Sequence, residues 1–288
     1  MYNEISVKLL KLSSLFISSP LNYICNKLLS CGIFACRFKY AEVVQLFKKG
    51  DKKGMSNYRP ISLLIAFSKV SEKVKYVRLY QHLINHSVLL NEQFGFKAKS
   101  STAKAIFNLI SEILETLNSK KVVGGIFCDL EKAFDCINYA ILLCKLNLYR
   151  IRGPFHKLIK SHLTNRYQRV LIGGKYSYHS NSEWSKINHG VPQGSILGPL
   201  LFLFYINDLP KMVQCNSKPT LFVDYTSLIF SNPNYVDFKT TINKVFSQLN
   251  KLFDGNLLLL NCEKTRYVHF TLKGTVLHEA PIGYNNFI

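Results

Sequence analysis

Acidic residues are scarce in this chain. Seventeen Asp and Glu face thirty-seven Lys and Arg, which leaves a formal charge of +20 over 288 residues and a pI near 9.6. Such a field favours polyanions, through phosphate neutralisation and counterion release. An anionic membrane surface would feel the same attraction, so charge alone does not choose between them. Cys-x-x-Cys pairs are missing as well. The eight cysteines, at 25, 31, 36, 128, 136, 144, 215 and 262, lack the spacing of a zinc module. Cys128 and Cys144 sit in apolar runs, which suits reduced thiols acting as small core residues in an intracellular protein of the nucleus or cytoplasm, not a secreted one. Long hydrophobic runs are also lacking. The longest, 196–206, is interrupted by Gly198 and Pro199 and falls well short of the roughly 20 residues of a spanning helix. Lys8 and Lys11 spoil the N-terminal apolar stretch as a signal peptide, and no membrane partner is expected. Neither internal repeats nor low-complexity tracts occur.

What is present reads as a mixed α and β chain. Apolar residues make up 48%, enough for a sizeable core, and the length suits two ordinary domains or one large one. Residues 1–40 suggest one or two amphipathic helices. A short strand (Val43, Val44, Leu46, Phe47) runs into the basic, Gly-marked turn 48–54. Helical spacing predicts a long helix between Ser62 and Leu90, with Leu64, Phe67, Val70, Val74 and Val77 on its apolar face. A loop at 93–97 precedes a second helix through Ala105, Leu109, Ile113 and Leu117.

Val122–Cys128 then reads as a buried strand with Asp129 at its end, a helix following from about Glu131, and another around 155–163. A hairpin is expected over 168–180, turning at Gly173-Gly174. Gly190–Gly194 forms a sharp loop, with Ser195 suited to cap the apolar helix after it. Residues 220–230 form two short strands around a polar tip carrying Asp224. A helix with Ile242, Val245, Leu249 and Leu252 on one face follows, then a last strand from Arg266 to Leu272.

Two aspartates, 95 residues apart, stand at a strand end and at a hairpin tip. Singly, each is an ordinary cap or turn residue. Together they suit a magnesium site of the kind that joins nucleotides, where hard oxygen ligands hold ions between an attacking hydroxyl and the transferred phosphate.

Six stretches, in order, then carry a resemblance. They are Asn57–Leu64 (Asn-Tyr-Arg-Pro-Ile-Ser-Leu-Leu), Gln93–Phe96, Asp129–Asp135, Gly190–Leu200, Phe222–Tyr225, and Asn261 with Lys264-Thr265. Together they resemble the motifs of non-LTR retrotransposon (LINE-type, jockey-like) reverse transcriptases, over nearly the whole chain. The resemblance implies an α+β right-hand polymerase fold: an antiparallel palm sheet backed by helices, α/β fingers, and a thumb largely absent. It implies a helical extension over 1–40, fingers over 41–125 and a palm over 126–288, with fingers-palm elements at 155–190.

The implied activity is RNA-directed DNA synthesis, with two Mg2+ ions, an RNA template, a DNA primer and deoxynucleoside triphosphates. Asp129 and Asp224 match the metal ligands, with the carbonyl of Leu130 as an extra one. Phe134 matches the gate against a ribose 2′ hydroxyl. Gln193 and Gly194 match the loop along the template base and incoming nucleotide. Lys48 and Arg59 match the cations on the triphosphate. Lys264 matches a proposed general acid for the departing pyrophosphate.

The chain departs from the family at the hairpin tip, where Phe222-Val223-Asp224-Tyr225 replaces Phe-Ala-Asp-Asp. A phenol, with a reference pKa of about 10, brings no anionic ligand at neutral pH. Lys97 stands in place of Arg, and the chain ends 24 residues past Lys264, before a thumb is complete. These departures suggest a fragment of an element's reading frame. They leave two readings: a polymerase weakened at Tyr225, or an inactive nucleic-acid-binding remnant with the same fold.

Overall fold

A computed structural model describes residues 5–172, 180–214 and 217–272. In chain order its elements begin with α1 (Val7–Leu12), α2 (Ser14–Cys31), β1 (Tyr40–Phe47), β2 (Tyr58–Leu63), α3 (Ala66–Asn85) and α4 (Thr102–Asn118). Next come β3 (Val122–Cys128), β4 (Leu130–Glu131), α5 (Tyr139–Leu148), α6 (Gly153–Leu163), β5 (Arg166–Ile172), β6 (Ser180–Asn181) and β7 (Ser185–Ile187). The series closes with α7 (Gly198–Ile206), α8 (Leu209–Val213), β8 (Lys218–Phe222), β9 (Tyr225–Asn232), α9 (Tyr235–Gly255), β10 (Leu259–Leu260) and β11 (Arg266–Phe270). They gather into two units, one of Met1–Val88 with Ile137–Phe204, the other of Leu89–Cys136 with Tyr205–Ile288.

In the first unit β1 lies between β2, antiparallel, and β5, parallel. β6 and β7 both pair antiparallel with β5. The expected hairpin at 168–180 is therefore formed in its strands, while the Gly173-Gly174 turn lies outside the described residues. Glu42 and Arg169 stand opposite each other on β1 and β5 and form an ion pair.

α3 is helical as its periodicity predicts, but it buries a different face. Ser68, Ser71, Glu72, Lys75, Leu79 and Leu83 point inward, whereas Val77 is about half exposed. Two of the polar side chains, Glu72 and Lys75, find partners there, whereas Ser68 Oγ and the other Glu72 oxygen are buried without one among the described residues. Oε2 of Glu72 accepts from the backbone N–H of Ile196 at 2.8 Å and of Leu197 at 3.4 Å, tying α3 to the loop before α7. Lys75 Nζ donates to Nδ1 of His162 at 3.1 Å and lies over the Phe34 ring, 3.7 Å from its centroid. Burial pushes Lys75 down to about 7 and holds His162 well below the usual histidine range.

The second unit is built on an antiparallel sheet in the order β11-β3-β9-β8. α9 lays Phe238, Ile242, Val245, Phe246, Leu249, Leu252 and Phe253 into the core. The helix expected from Glu131 is absent. After the β4 rung, Lys132 turns through a positive φ of 45°, and its carbonyl accepts from the N–H of Asp135 and Cys136. Helix begins only at Tyr139, where Asn138 Oδ1 caps the N–H of Ala140 and Ile141. Cys128 is buried as expected, but Cys144 is exposed. α5 buries Leu142, Lys145 and Leu146, which leaves Cys144, Asn147 and Leu148 facing outward. No helix among the described residues is long and apolar enough to cross a membrane.

Lys75 makes stability pH-dependent. Its folded pKa near 7 lies below the ordinary lysine value of 10.5. The unfolded chain therefore holds more protons above pH 7, and stability rises with pH. Urea denaturation should show the unfolding free energy climbing between pH 7 and 9, at a slope approaching ~1.4 kcal/mol per pH unit. Lys75→Met should flatten that rise; an unchanged slope would contradict the assignment.

Candidate active site

β3 carries a run of apolar side chains and glycine into the sheet and ends at Cys128, beside which Asp129 is buried. The ladder between β3 and β9 ends with Cys128 opposite Thr226, so Asp129 and Tyr225 are the next residues on the two chains beyond it. Tyr225 itself pairs with Phe222 and closes the β8–β9 hairpin, leaving Val223 and Asp224 as a two-residue loop. Asp129 and Asp224 thus come to the same end of adjacent strands. On the other flank of β3, the Asn261 N–H donates to the carbonyl of Asp129 at 2.9 Å. Asn261 Oδ1 accepts from the N–H of Lys264, and Lys264 Nζ donates to Asp129 Oδ2 at 2.9 Å. That hydrogen bond, then the negative charges of Asp129 and Asp224, hold the exposed Lys264 ammonium above the usual lysine range.

The hairpin tip is braced from an unexpected direction. The Glu92–Phe94 segment adds alongside β8: the N–H of Leu221 donates to Glu92 O, and that of Phe94 to Leu221 O. Buried Gln93 accepts through Oε1 from the N–H of Gly95 at 2.7 Å and of Val223 at 3.3 Å. Val223 sits at φ 61°, a strained conformation for a β-branched residue. A Cβ on Gly95 would lie 2.5 Å from the Val223 nitrogen, so only glycine lets this segment close on the tip. The sequence displays Gln93–Phe96 as a loop, and nothing local to it reveals a target 130 residues away.

Leu130 is buried and paired with Leu260 in the short β4–β10 ladder. Phe134 is half-buried in the turn that follows. The remaining candidates belong to the first unit. Lys48, just past β1, donates its N–H to Asn57 O, and exposed Arg59 stands on β2 opposite Leu46, at the same end of that hairpin. The Gln193 carbonyl accepts from the Ser62 N–H at 2.7 Å, docking the Pro192–Gly194 loop on β2. Gly194 adopts φ 106°, and a Cβ there would press to 3.1 Å from Ser62 O.

A family model for reverse transcriptase (RNA-dependent DNA polymerase) matches residues 48–284. The chain belongs to the reverse transcriptases. It is 29% identical over 264 residues to the probable RNA-directed DNA polymerase from transposon BS of Drosophila melanogaster, covering 89% of this chain and 28% of that protein. It is 31% identical over 253 residues to the RNA-directed DNA polymerase from mobile element jockey of the same organism, covering 85% and 27%. The likeness to non-LTR elements thus runs through most of this reverse transcriptase, which spans roughly a quarter of the length of those relatives.

Among solved structures, apo telomerase from Candida tropicalis, truncated from its C-terminal domain, matches with a TM-score of 0.59 at 14% identity. That match covers 91% of this chain and 56% of the telomerase, and supports the right-hand polymerase fold.

Reverse transcriptases as a family use divalent metal ions. Among the described residues no cluster of three or more His, Cys, Asp or Glu forms here. Two hard carboxylates, one of them engaged by Lys264, suit a single divalent cation better than a pair.

The Gly95 contact has a measurable consequence. Gly95→Ala should destabilise the protein by about 1–3 kcal/mol, the usual cost of overpacking, read as a lower urea midpoint. A midpoint equal to that of the unmodified chain would mean the segment does not brace the hairpin.

Proposed function

We propose that the chain is the RNA-directed DNA polymerase domain of a non-LTR retrotransposon, held to weak activity by Tyr225. The observation that carries the reading is the meeting of Asp129, Asp224 and Lys264 at one end of β3 and β9. Asp129 and Asp224 would hold a divalent ion, with the Leu130 carbonyl as an additional oxygen. Bound there, such an ion supplies Lewis acidity toward the attacking 3′ hydroxyl and neutralises charge on the transferred phosphate.

The chain's own residues do the rest. Lys264, kept protonated by its carboxylate neighbours, offers a cation and a proton to the leaving pyrophosphate. Lys48 and Arg59 neutralise the triphosphate, Arg59 through a planar fork matched to phosphate oxygens. Gln193 and Gly194 present backbone to the template base and incoming nucleotide. Phe134 excludes a 2′ hydroxyl by collision, selecting deoxynucleotides. An RNA template and a DNA primer complete the reaction, and both agree with the strong basic excess.

Tyr225 is where this site falls short. Its phenol, at the base of the Asp224 hairpin, has no anionic oxygen to give, so the second of two metal ions lacks a ligand. Misalignment of this kind costs orders of magnitude in rate. A second reading, an inactive nucleic-acid-binding remnant, draws on the same residue.

Primer extension on an RNA template separates the two. The unmodified chain should extend weakly, Tyr225→Asp should extend at least about tenfold faster, and Asp129→Ala should not extend. If Asp129→Ala extends as well as its parent, the metal site is elsewhere. If Tyr225→Asp stays inert while RNA binding persists, the remnant reading stands.

A further inference from the structure

The basic excess is not shared evenly. The first unit carries twenty-three Lys and Arg against five Asp and Glu, and the second fourteen against twelve. Nearly all of the +20 therefore resides in the unit that lacks Asp129 and Asp224. Part of it converges on a recess of about 200 Å³ whose lining includes Arg78, His82, Arg150, Arg152 and Phe155, and no carboxylate. Such a volume is below the roughly 300 Å³ where drug-sized pockets begin, and it suits a single phosphate group.

Local structure explains the convergence. Arg78 and His82 are four residues apart on α3 and so share a face. His82 Nε2 donates to the Tyr149 carbonyl at 2.9 Å, fastening α3 to the α5–α6 turn. That turn closes through the N–H of Arg150 to Asn147 O and of Ile151 to Leu146 O, with Arg150 at φ 64°. Arg152 is the N-cap of α6, and its Nε is fixed by Asn147 Oδ1 at 3.1 Å. Among the described residues, no ion pair engages Arg78, Arg150 or Arg152. Three exposed guanidinium groups are thus gathered without a counter-charge, beside the positive end of an eleven-residue helix. A half-buried aromatic ring, Phe155, completes the wall.

We infer that this recess, in the unit that does not carry Asp129 and Asp224, grips a backbone phosphate of single-stranded RNA. The arginines supply forked donors to the phosphodiester oxygens. Phe155 offers a surface on which an unpaired base stacks, which a duplex would withhold. The inference rests on the reading of the protein as an RNA-templated polymerase, because that reading names RNA as a partner.

The test measures binding of a fluorescein-labelled single-stranded RNA of 20 nucleotides across a salt series. It compares the unmodified chain with Arg78→Ala, Arg150→Gly and, as a charge control on exposed β7, Lys186→Ala. Arg150→Gly suits the left-handed backbone there, so its melting temperature should hold or rise, and lost binding cannot be blamed on unfolding. The two arginine variants should bind about tenfold more weakly. Their slope of log affinity on log salt should fall by about 0.7 each, while Lys186→Ala stays near the parent.

Equal losses in all three variants would overturn the site and leave only a diffuse field. Inorganic phosphate that raises the melting temperature of the parent but not of Arg150→Gly, with RNA binding unaltered in both arginine variants, would overturn RNA in favour of a free anion. A parent that binds no RNA would sink the templated-polymerase reading itself. Normal parental binding with unaltered arginine variants would sink the recess alone.

Discussion

The ladder between β3 and β9 runs from Val122 opposite Asn232 to Cys128 opposite Thr226, and that register sets where Asp129 stands beside the β8–β9 hairpin. Side chains alternate across a sheet, so a slip of one residue would carry Asp129 to the opposite face. With the register kept, β3 is flanked at its end by the hairpin tip on one side and by β11 on the other. One flank brings Asp224 and Tyr225; the segment leading into β11 brings Asn261 and Lys264. The Asp129 carbonyl accepts from the Asn261 N–H while its carboxylate accepts from Lys264. Asp129 is thus held through both its backbone and its side chain by the flank that leads into β11.

The first unit solves a different problem, that of burying charge. A buried ion costs several kcal/mol unless paired and hydrogen-bonded. Glu72 recovers part of that cost by accepting from two backbone N–H groups. The same bonds fix the stretch between the Pro192–Gly194 loop and α7, and the loop in turn docks on Ser62. Lys75 takes the other course, with a pKa lowered to about 7 by burial beside Phe34 and His162. Arg166, Lys39 and Lys145 are buried as well, while most of the other cations of this unit stay at the surface, where they attract polyanions without a desolvation cost.

Much of this was legible beforehand where one physical pattern acts alone. The α9 stripe of Ile242, Val245, Leu249 and Leu252 is buried as its spacing requires, because that helix covers one face of one sheet. β3 and the Asp224 hairpin follow from apolar runs broken by a polar tip. Legibility failed where partners distant in sequence override local pattern. α3 turns Glu72 and Lys75 inward because Ile196, Leu197 and His162 receive them. The stretch after Glu131 does not continue as helix, since β4 is held by β10 and Lys132 turns through a positive φ. Cys144, surrounded by apolar neighbours in sequence, faces outward because α5 buries the side bearing Leu142, Lys145 and Leu146.

Sequence by itself determined the family, most of the long helices and strands, the two aspartates and the tyrosine at position 225, because each is a matter of residue identity and local spacing. Tertiary structure alone decided that Lys264 reaches Asp129, that Gln93 and Gly95 brace the hairpin, and that three arginines from α3 and the α5–α6 turn line one recess. Those contacts join residues scores of positions apart. Strand register, backbone turns and the pairing of buried polar groups bring them together, and no short window of sequence encodes any of the three.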